Sequence, residues 1–137
     1  MTDYFDYKAS EEEIRAMSPL ALAHVGDAVY ELLVRAALHG LGGHSAGKMH
    51  EEAVKYVSAQ AQACAAERLA PVLTQEEMDI YRRGRNTKVN SVPHNASVGQ
   101  YHAATGLEAL FGYLYMSGRK ERINELFELI MEEMNAG

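Results

Sequence analysis

Ala23-His24-Val25-Gly26-Asp27-Ala28-Val29-Tyr30-Glu31 decides how this chain is read. Apolar residues continue on both sides, from Leu20 and Leu22 through Leu32, Leu33 and Ala36, at the three- and four-residue steps of a helix with a buried face. Inside that pattern stand a glycine and an aspartate. Asp is a poor interior helix residue and is rarely fully buried without a partner. The combination recurs in Thr105-Gly106-Leu107-Glu108-Ala109-Leu110-Phe111-Gly112-Tyr113-Leu114-Tyr115, where Gly106 and Gly112 flank Glu108. Glycine within a helix costs about 1 kcal/mol relative to alanine, so these positions imply close backbone approach. The two helices are therefore expected to pack together, with Asp27 and Glu108 meeting across the contact.

Two ionised carboxylates in such a place repel, and one takes up a proton unless a cation is shared. Mg²⁺ suits the task, because it binds one or two carboxylates and keeps several waters. Such an ion activates water and stabilises charge on a phosphodiester. A plainer reading pairs Asp27 with a nearby Lys or Arg and turns Glu108 to solvent; helical spacing alone allows both. Glu31, one turn after Asp27, belongs to the site in the first reading and is solvated in the second.

Working outward, the pattern is helical throughout, with no convincing strand. Ser10-x-x-Glu13 has capping-box spacing and opens a short helix; Ser18-Pro19 caps the helix that Gly40 closes. One helix is expected over about 46–69, carrying Met49, Ala53, Val54, Val57, Ala61, Cys64 and Leu69, with Cys64 as a core residue. Pro71 breaks the chain, Thr74-x-x-Glu77 opens a helix that Gly84 ends, and 85–96 reads as loop. Ser97 or Asn95 caps the Glu108 helix, which Ser117-Gly118 ends. A final amphipathic helix shows Ile123, Leu126, Phe127, Ile130 and Met134. The expectation is one all-α domain over 1–137, with 1–17 an extension and short helix and the core at about 18–135.

A length of 137 residues leaves no room for a second module, and 47% hydrophobic residues suffice for a core. No apolar run approaches the roughly 20 residues of a membrane span. The acidic, aromatic start lacks the features of a signal peptide, and a lone Cys64 excludes an intrachain disulfide; a cytoplasmic protein is expected. A net charge of −6 argues mildly against a polyanion partner, but bases concentrate in Arg82-Arg83-Gly84-Arg85-Asn86-Thr87-Lys88, a run without acids. That run suits RNA phosphates or is a solvated basic loop. The histidines show no metal-ligand spacing such as HExxH; His24, one turn before Asp27, is the one that could touch the site.

His24-Val25-Gly26-Asp27-Ala28-Val29 and Glu108-Ala109-Leu110-Phe111-Gly112-Tyr113-Leu114-Tyr115 resemble, in order and spacing, the two signature helices of the ribonuclease III catalytic domain. Arg83-Gly84-Arg85-Asn86-Thr87-Lys88 and Val92-Pro93-His94-Asn95 resemble motifs of that family's short branch, Mini-ribonuclease III, which is the catalytic domain alone. The resemblance runs from about residue 18 to the C-terminus. It implies a ribonuclease III-like helical bundle and an Mg²⁺-dependent endoribonuclease, with Mn²⁺ a possible substitute and no small-molecule cofactor. The implied substrate is double-stranded RNA, cut to 5′-phosphate and 3′-hydroxyl ends in maturing the ends of precursor 23S ribosomal RNA. The implied state is a homodimer with no membrane association and no following double-stranded-RNA-binding domain.

By this resemblance Asp27 and Glu108 are catalytic and hold the metal, and Arg83, Arg85, Asn86 and Lys88 contact RNA. The wider family has Glu four and seven positions before the aspartate, where this chain has Ala23 and Leu20, and Asp three before the glutamate, where it has Thr105. Thr105 and Glu31 then remain as possible outer supports, holding water. The rival reading is a non-catalytic helical protein on the same scaffold that binds RNA or a ribosomal particle. A protein–protein adaptor would leave the basic run unexplained.

Overall fold

The computed structural model describes residues 1–40, 45–87 and 97–136, with side chains to residue 134. It contains α1 (Glu11–Ala16), α2 (Pro19–Gly40), α3 (Ala46–Val57), α4 (Ala59–Leu69), a 3₁₀ turn (Ala70–Val72), α5 (Gln75–Arg85), α6 (Val98–Met116) and α7 (Lys120–Ala136). No strand occurs among the described residues.

Hydroxyl side chains decide where most of these helices begin. Ser10, Thr74 and Ser97 each accept from the third helical N–H, while Glu13, Glu77 and Gln100 return a bond to the cap, as the sequence spacing predicts for the first two. Ser18 accepts from Ala21 N–H at 3.1 Å. One helix was expected over 46–69, and the structure has two. Ser58 is extended (φ −62°, ψ 156°) and its side chain accepts from Ala61 N–H, so it ends α3 and caps α4. The break resets the helical phase. The buried stripe of α4 becomes Gln62, Ala65, Ala66 and Leu69, and Cys64, expected in the core, is exposed.

α6 is the central element. Thr105, Gly106, Leu107 and every residue from Ala109 to Leu114 are buried, because α2, α4, α5 and α7 surround it. Tyr30 of α2 packs edge-on against Phe111 at 5.3 Å and Phe127 at 5.9 Å, joining α2, α6 and α7. α6 stops in a Schellman turn: Arg119 N–H reaches Leu114 C=O at 2.9 Å, and Gly118 takes φ 72°.

The glycines divide the packing. Gly26 and Gly112 form the α2–α6 seam, with α2 and α6 antiparallel. A Cβ on Gly26 would overlap the Glu108 carbonyl, and one on Gly112 would overlap that of Leu22. Gly106 was expected in the same seam but faces α5, where a Cβ would meet the Tyr81 carbonyl oxygen at 2.7 Å. Gly84, expected to terminate α5, lies inside it; a Cβ there would meet Ala109 Cβ at 2.7 Å. Each glycine serves a helix crossing, and Asn86 takes over as the cap of α5.

One charged pair is deeply placed. Glu77, 2% exposed, takes a two-pronged bond from Arg122 Nε at 2.9 Å and Nη2 at 2.8 Å, and Arg122 also donates to Val72 C=O. Burial pushes the Glu77 carboxyl up, but the Arg122 bonds and Thr74 N–H outweigh it and hold the group below its ordinary value. Arg122→Ala leaves that carboxylate buried and unpaired, so it is expected to lose about 3 kcal/mol by urea denaturation at neutral pH. A depressed carboxylate stabilises the fold above its ordinary titration range and loses the effect as pH falls. The deficit should therefore shrink in acid.

Candidate active site

Gly26 lacks a side chain, so α2 descends onto α6 until the two backbones touch, and the residue it touches is Glu108 itself. Asp27 follows Gly26 and projects beside the contact, exposed, while Glu108 is half-buried. The expected meeting of the two acids is found. Asp27 lies close enough to share a hydrogen bond with a protonated Glu108.

Burial first, then the bond and charge of Asp27, push the Glu108 carboxyl up to about 8; the Glu31 charge adds to this and Gln62 opposes it. At neutral pH this carboxyl holds a proton where a cation would otherwise balance the pair. The plainer reading, with Asp27 on a basic partner and Glu108 in solvent, does not describe this arrangement. Two carboxylate oxygen donors on rigid helices suit a hard divalent ion. Among the described residues no three His, Cys, Asp or Glu side chains converge, so an ion held here would complete its shell largely with water.

The supporting residues separate clearly. Glu31 is engaged by Arg35 at 2.9 Å and acts on Glu108 only through its charge. Thr105, 6% exposed, donates its hydroxyl to Tyr101 C=O at 3.0 Å, which commits its proton to its own helix. His24 is exposed and sits in an apolar groove with Val25, Ala28 and Leu32. Gln62 was missed. It is 2% exposed on α4 and offers its amide to the Glu108 carboxyl. Its signal was available: an amide falls in register with Ala65, Ala66 and Leu69 on the buried stripe. The assumption of one helix over 46–69 concealed that register.

The basic run is split by its own helix. Arg83 points into a cavity of about 320 Å³ lined also by Arg15, Arg119, Glu76 and Tyr113. In its wall Tyr113 donates its hydroxyl to Glu76, and Arg119 pairs with Glu76 at 3.0 Å. Arg85 lies on the other side of α5, its guanidinium 5.7 Å from the centre of the Tyr81 ring, with Nε donating to Asn86 Oδ1 at 3.2 Å. Lys88 and the 92–95 motif lie outside the described residues.

Comparison with known proteins agrees with this architecture. The Ribonuclease III domain family matches residues 20–119. The chain is 44% identical to Mini-ribonuclease 3 of Thermoanaerobacter sp., over 90% of this chain and 87% of that protein. It is 42% identical to Mini-ribonuclease 3 of Symbiobacterium thermophilum, over 88% of this chain and 93% of that one. A crystal structure of a Fusobacterium nucleatum protein superposes with a TM-score of 0.81 at 27% identity, covering 89% of this chain and 98% of the other. With an all-helical fold in which the two signature helices pack glycine to glycine, and close relatives along most of its length, the chain belongs to the ribonuclease III family of endoribonucleases.

Proposed function

We propose that this protein is a Mg²⁺-dependent endoribonuclease that cuts both strands of double-stranded RNA, with Asp27 and Glu108 as its metal-holding pair. The observation that carries the reading is the proximity of two carboxylates at the Gly26 contact, where burial first and the neighbouring Asp27 second raise the Glu108 carboxyl. Exposed Asp27 faces the incoming phosphodiester. Half-buried Glu108 is fixed by α6 and met by the Gln62 amide. A divalent ion bound there supplies Lewis acidity at the scissile phosphate and an acidified water. Hydrolysis leaves a 5′-phosphate and a 3′-hydroxyl.

Arg85 and Arg83 neutralise phosphates on either side of α5. His102, beside Arg85, is six residues from Glu108, about 9 Å along the helix axis. A precursor of large-subunit ribosomal RNA as substrate is what the resemblance of the loop and signature motifs to the family's short branch implies.

A two-fold dimer would address both strands. The outward face of α2 supports it. Leu32 is 56% and Leu20 44% exposed, and Tyr4, Phe5 and Tyr115 extend the apolar groove beside Val25 and Val29. Sedimentation at micromolar concentration is expected to give twice the 15.1 kDa chain mass. An active monomer cutting both strands would remove the dimer from the mechanism.

The reading is tested by cleavage of long duplex RNA with Mg²⁺, with Ca²⁺ and in excess chelator. Turnover is expected only with Mg²⁺ or Mn²⁺, and Ca²⁺ is expected to permit binding with little cleavage. Undiminished cleavage in chelator would overturn the reading. Because Glu108 holds a proton below about pH 8, metal binding must release it. The Mg²⁺ concentration for half-maximal rate should rise about tenfold for each pH unit below that value.

A further inference from the structure

The end of α5 is closed by an unusual division of labour. The last four carbonyls of a helix have no partner within it. Here Asn86 N–H takes that of Arg82 at 2.9 Å, Thr87 Oγ1–H takes that of Arg83 at 2.7 Å, and Thr87 N–H takes that of Gly84 at 3.3 Å. All three donors are local. The fourth carbonyl, that of Arg85, accepts from His102 Nδ1 of α6 at 2.7 Å, across 17 residues of sequence. A carbonyl only accepts, so Nδ1 carries the proton. His102 is half-buried and braced edge-on by Tyr101 at 6.5 Å. The two residues flanking this bond are also held: Arg85 rests over the Tyr81 ring and bonds Asn86.

We infer that His102 is a positioning residue for RNA binding, its Nδ1–H fixing the Arg85 carbonyl so that the Arg85 guanidinium and the chain leaving α5 keep a set register to the helix that bears Glu108. The inference rests on the reading of Arg85 as a phosphate contact. The reasoning is geometric. Backbone direction at a helix end is set by whichever groups satisfy its carbonyls, and this is the one donor among the four that belongs to another element. Without it the peptide joining Arg85 to Asn86 is held only from within α5, by Asn86 N–H on the Arg82 carbonyl, and the tie that registers the Arg85 side chain to α6 is lost. The carboxylates lie on other parts of α2 and α6 and stay where they are. Substrate binding should therefore suffer and chemistry should not.

The test uses the full chain and long duplex RNA with saturating Mg²⁺. His102→Leu removes the donor, and His102→Asn restores one where Nδ1 stood. His102→Phe, which keeps the ring volume without a donor, replaces Leu if that variant unfolds. Leu or Phe is expected to raise KM about tenfold with kcat within about twofold of the parent, and Asn to return KM close to its original value. In the Arg85→Ala background the same change should add little, because the two act as one unit. An unchanged KM in Leu and Phe, an equal loss of kcat, or full additivity with Arg85→Ala would overturn the positioning role. Should Arg85→Ala alone leave KM unchanged, the phosphate contact fails and this role with it. A raised KM in Arg85→Ala beside a normal His102→Leu overturns only the role of His102.

Discussion

Asp27→Asn and Glu108→Gln are each expected to lower single-turnover cleavage of long duplex RNA by at least about a thousandfold, a barrier increase of about 4 kcal/mol. Each substitution preserves shape and removes one negative charge from the pair that would hold the metal. Folding should survive. Asp27 is exposed, and its charge is one reason that Glu108 holds a proton, so removing it relieves a conflict. The stability of the metal-free protein supplies a second readout. The Glu108 carboxyl titrates higher in the fold than in the unfolded chain, so the folded state binds more protons between the ordinary carboxylate range and about pH 8. Stability should decline as pH rises through that window and level off above it. Glu108→Gln should abolish that slope. Activity within tenfold of the parent in either variant would overturn the assignment of the pair.

Gly26→Ala should be the most damaging single methyl in the molecule. Its Cβ would overlap the Glu108 carbonyl and come within 2.7 Å of Gly112 N, and neither neighbour is a side chain that can turn away. The helices must separate along their whole seam, at an expected loss of more than about 3 kcal/mol, read by urea denaturation. Gly112→Ala strikes the same seam from the other side, so the double variant should be less destabilised than the two losses added. Gly47→Ala provides the contrast. Nothing lies within 4 Å of a Cβ there, and alanine within α3 should stabilise by about 0.5–1 kcal/mol. A Gly26→Ala protein as stable as the parent would show that α2 and α6 do not meet as described.

Much of this was legible because it depends on local chemistry. Ser10, Thr74 and Ser18 mark helix starts by the hydroxyl they place before the first turn, and the structure uses each of them. Gly26 and Gly112, unfavourable in an isolated helix, announced a crossing, and the acids beside them followed. The errors share one cause. Ser58 also carries a cap signal, but the apolar spacing over 46–69 tolerates an unbroken helix, and phase carried across a break assigns the wrong face. Cys64 was misplaced and Gln62 overlooked for that reason. Partners distant in sequence were not legible at all. Nothing local ties Arg122 to Glu77 or His102 to Arg85, since such pairs exist only once the helices have docked.

The seam between α2 and α6 also determines what sets the gauge of the site. Where side chains separate two helices, their spacing drifts with each exchange of leucine for valine or methionine. At Gly26 and Gly112 the spacer is the peptide group, whose dimensions no substitution elsewhere can alter. The interval between Asp27 and Glu108 is thereby insulated from turnover in the surrounding core. The lineage can vary its hydrophobic residues widely and keep one calibration, at the cost of two positions that tolerate no side chain.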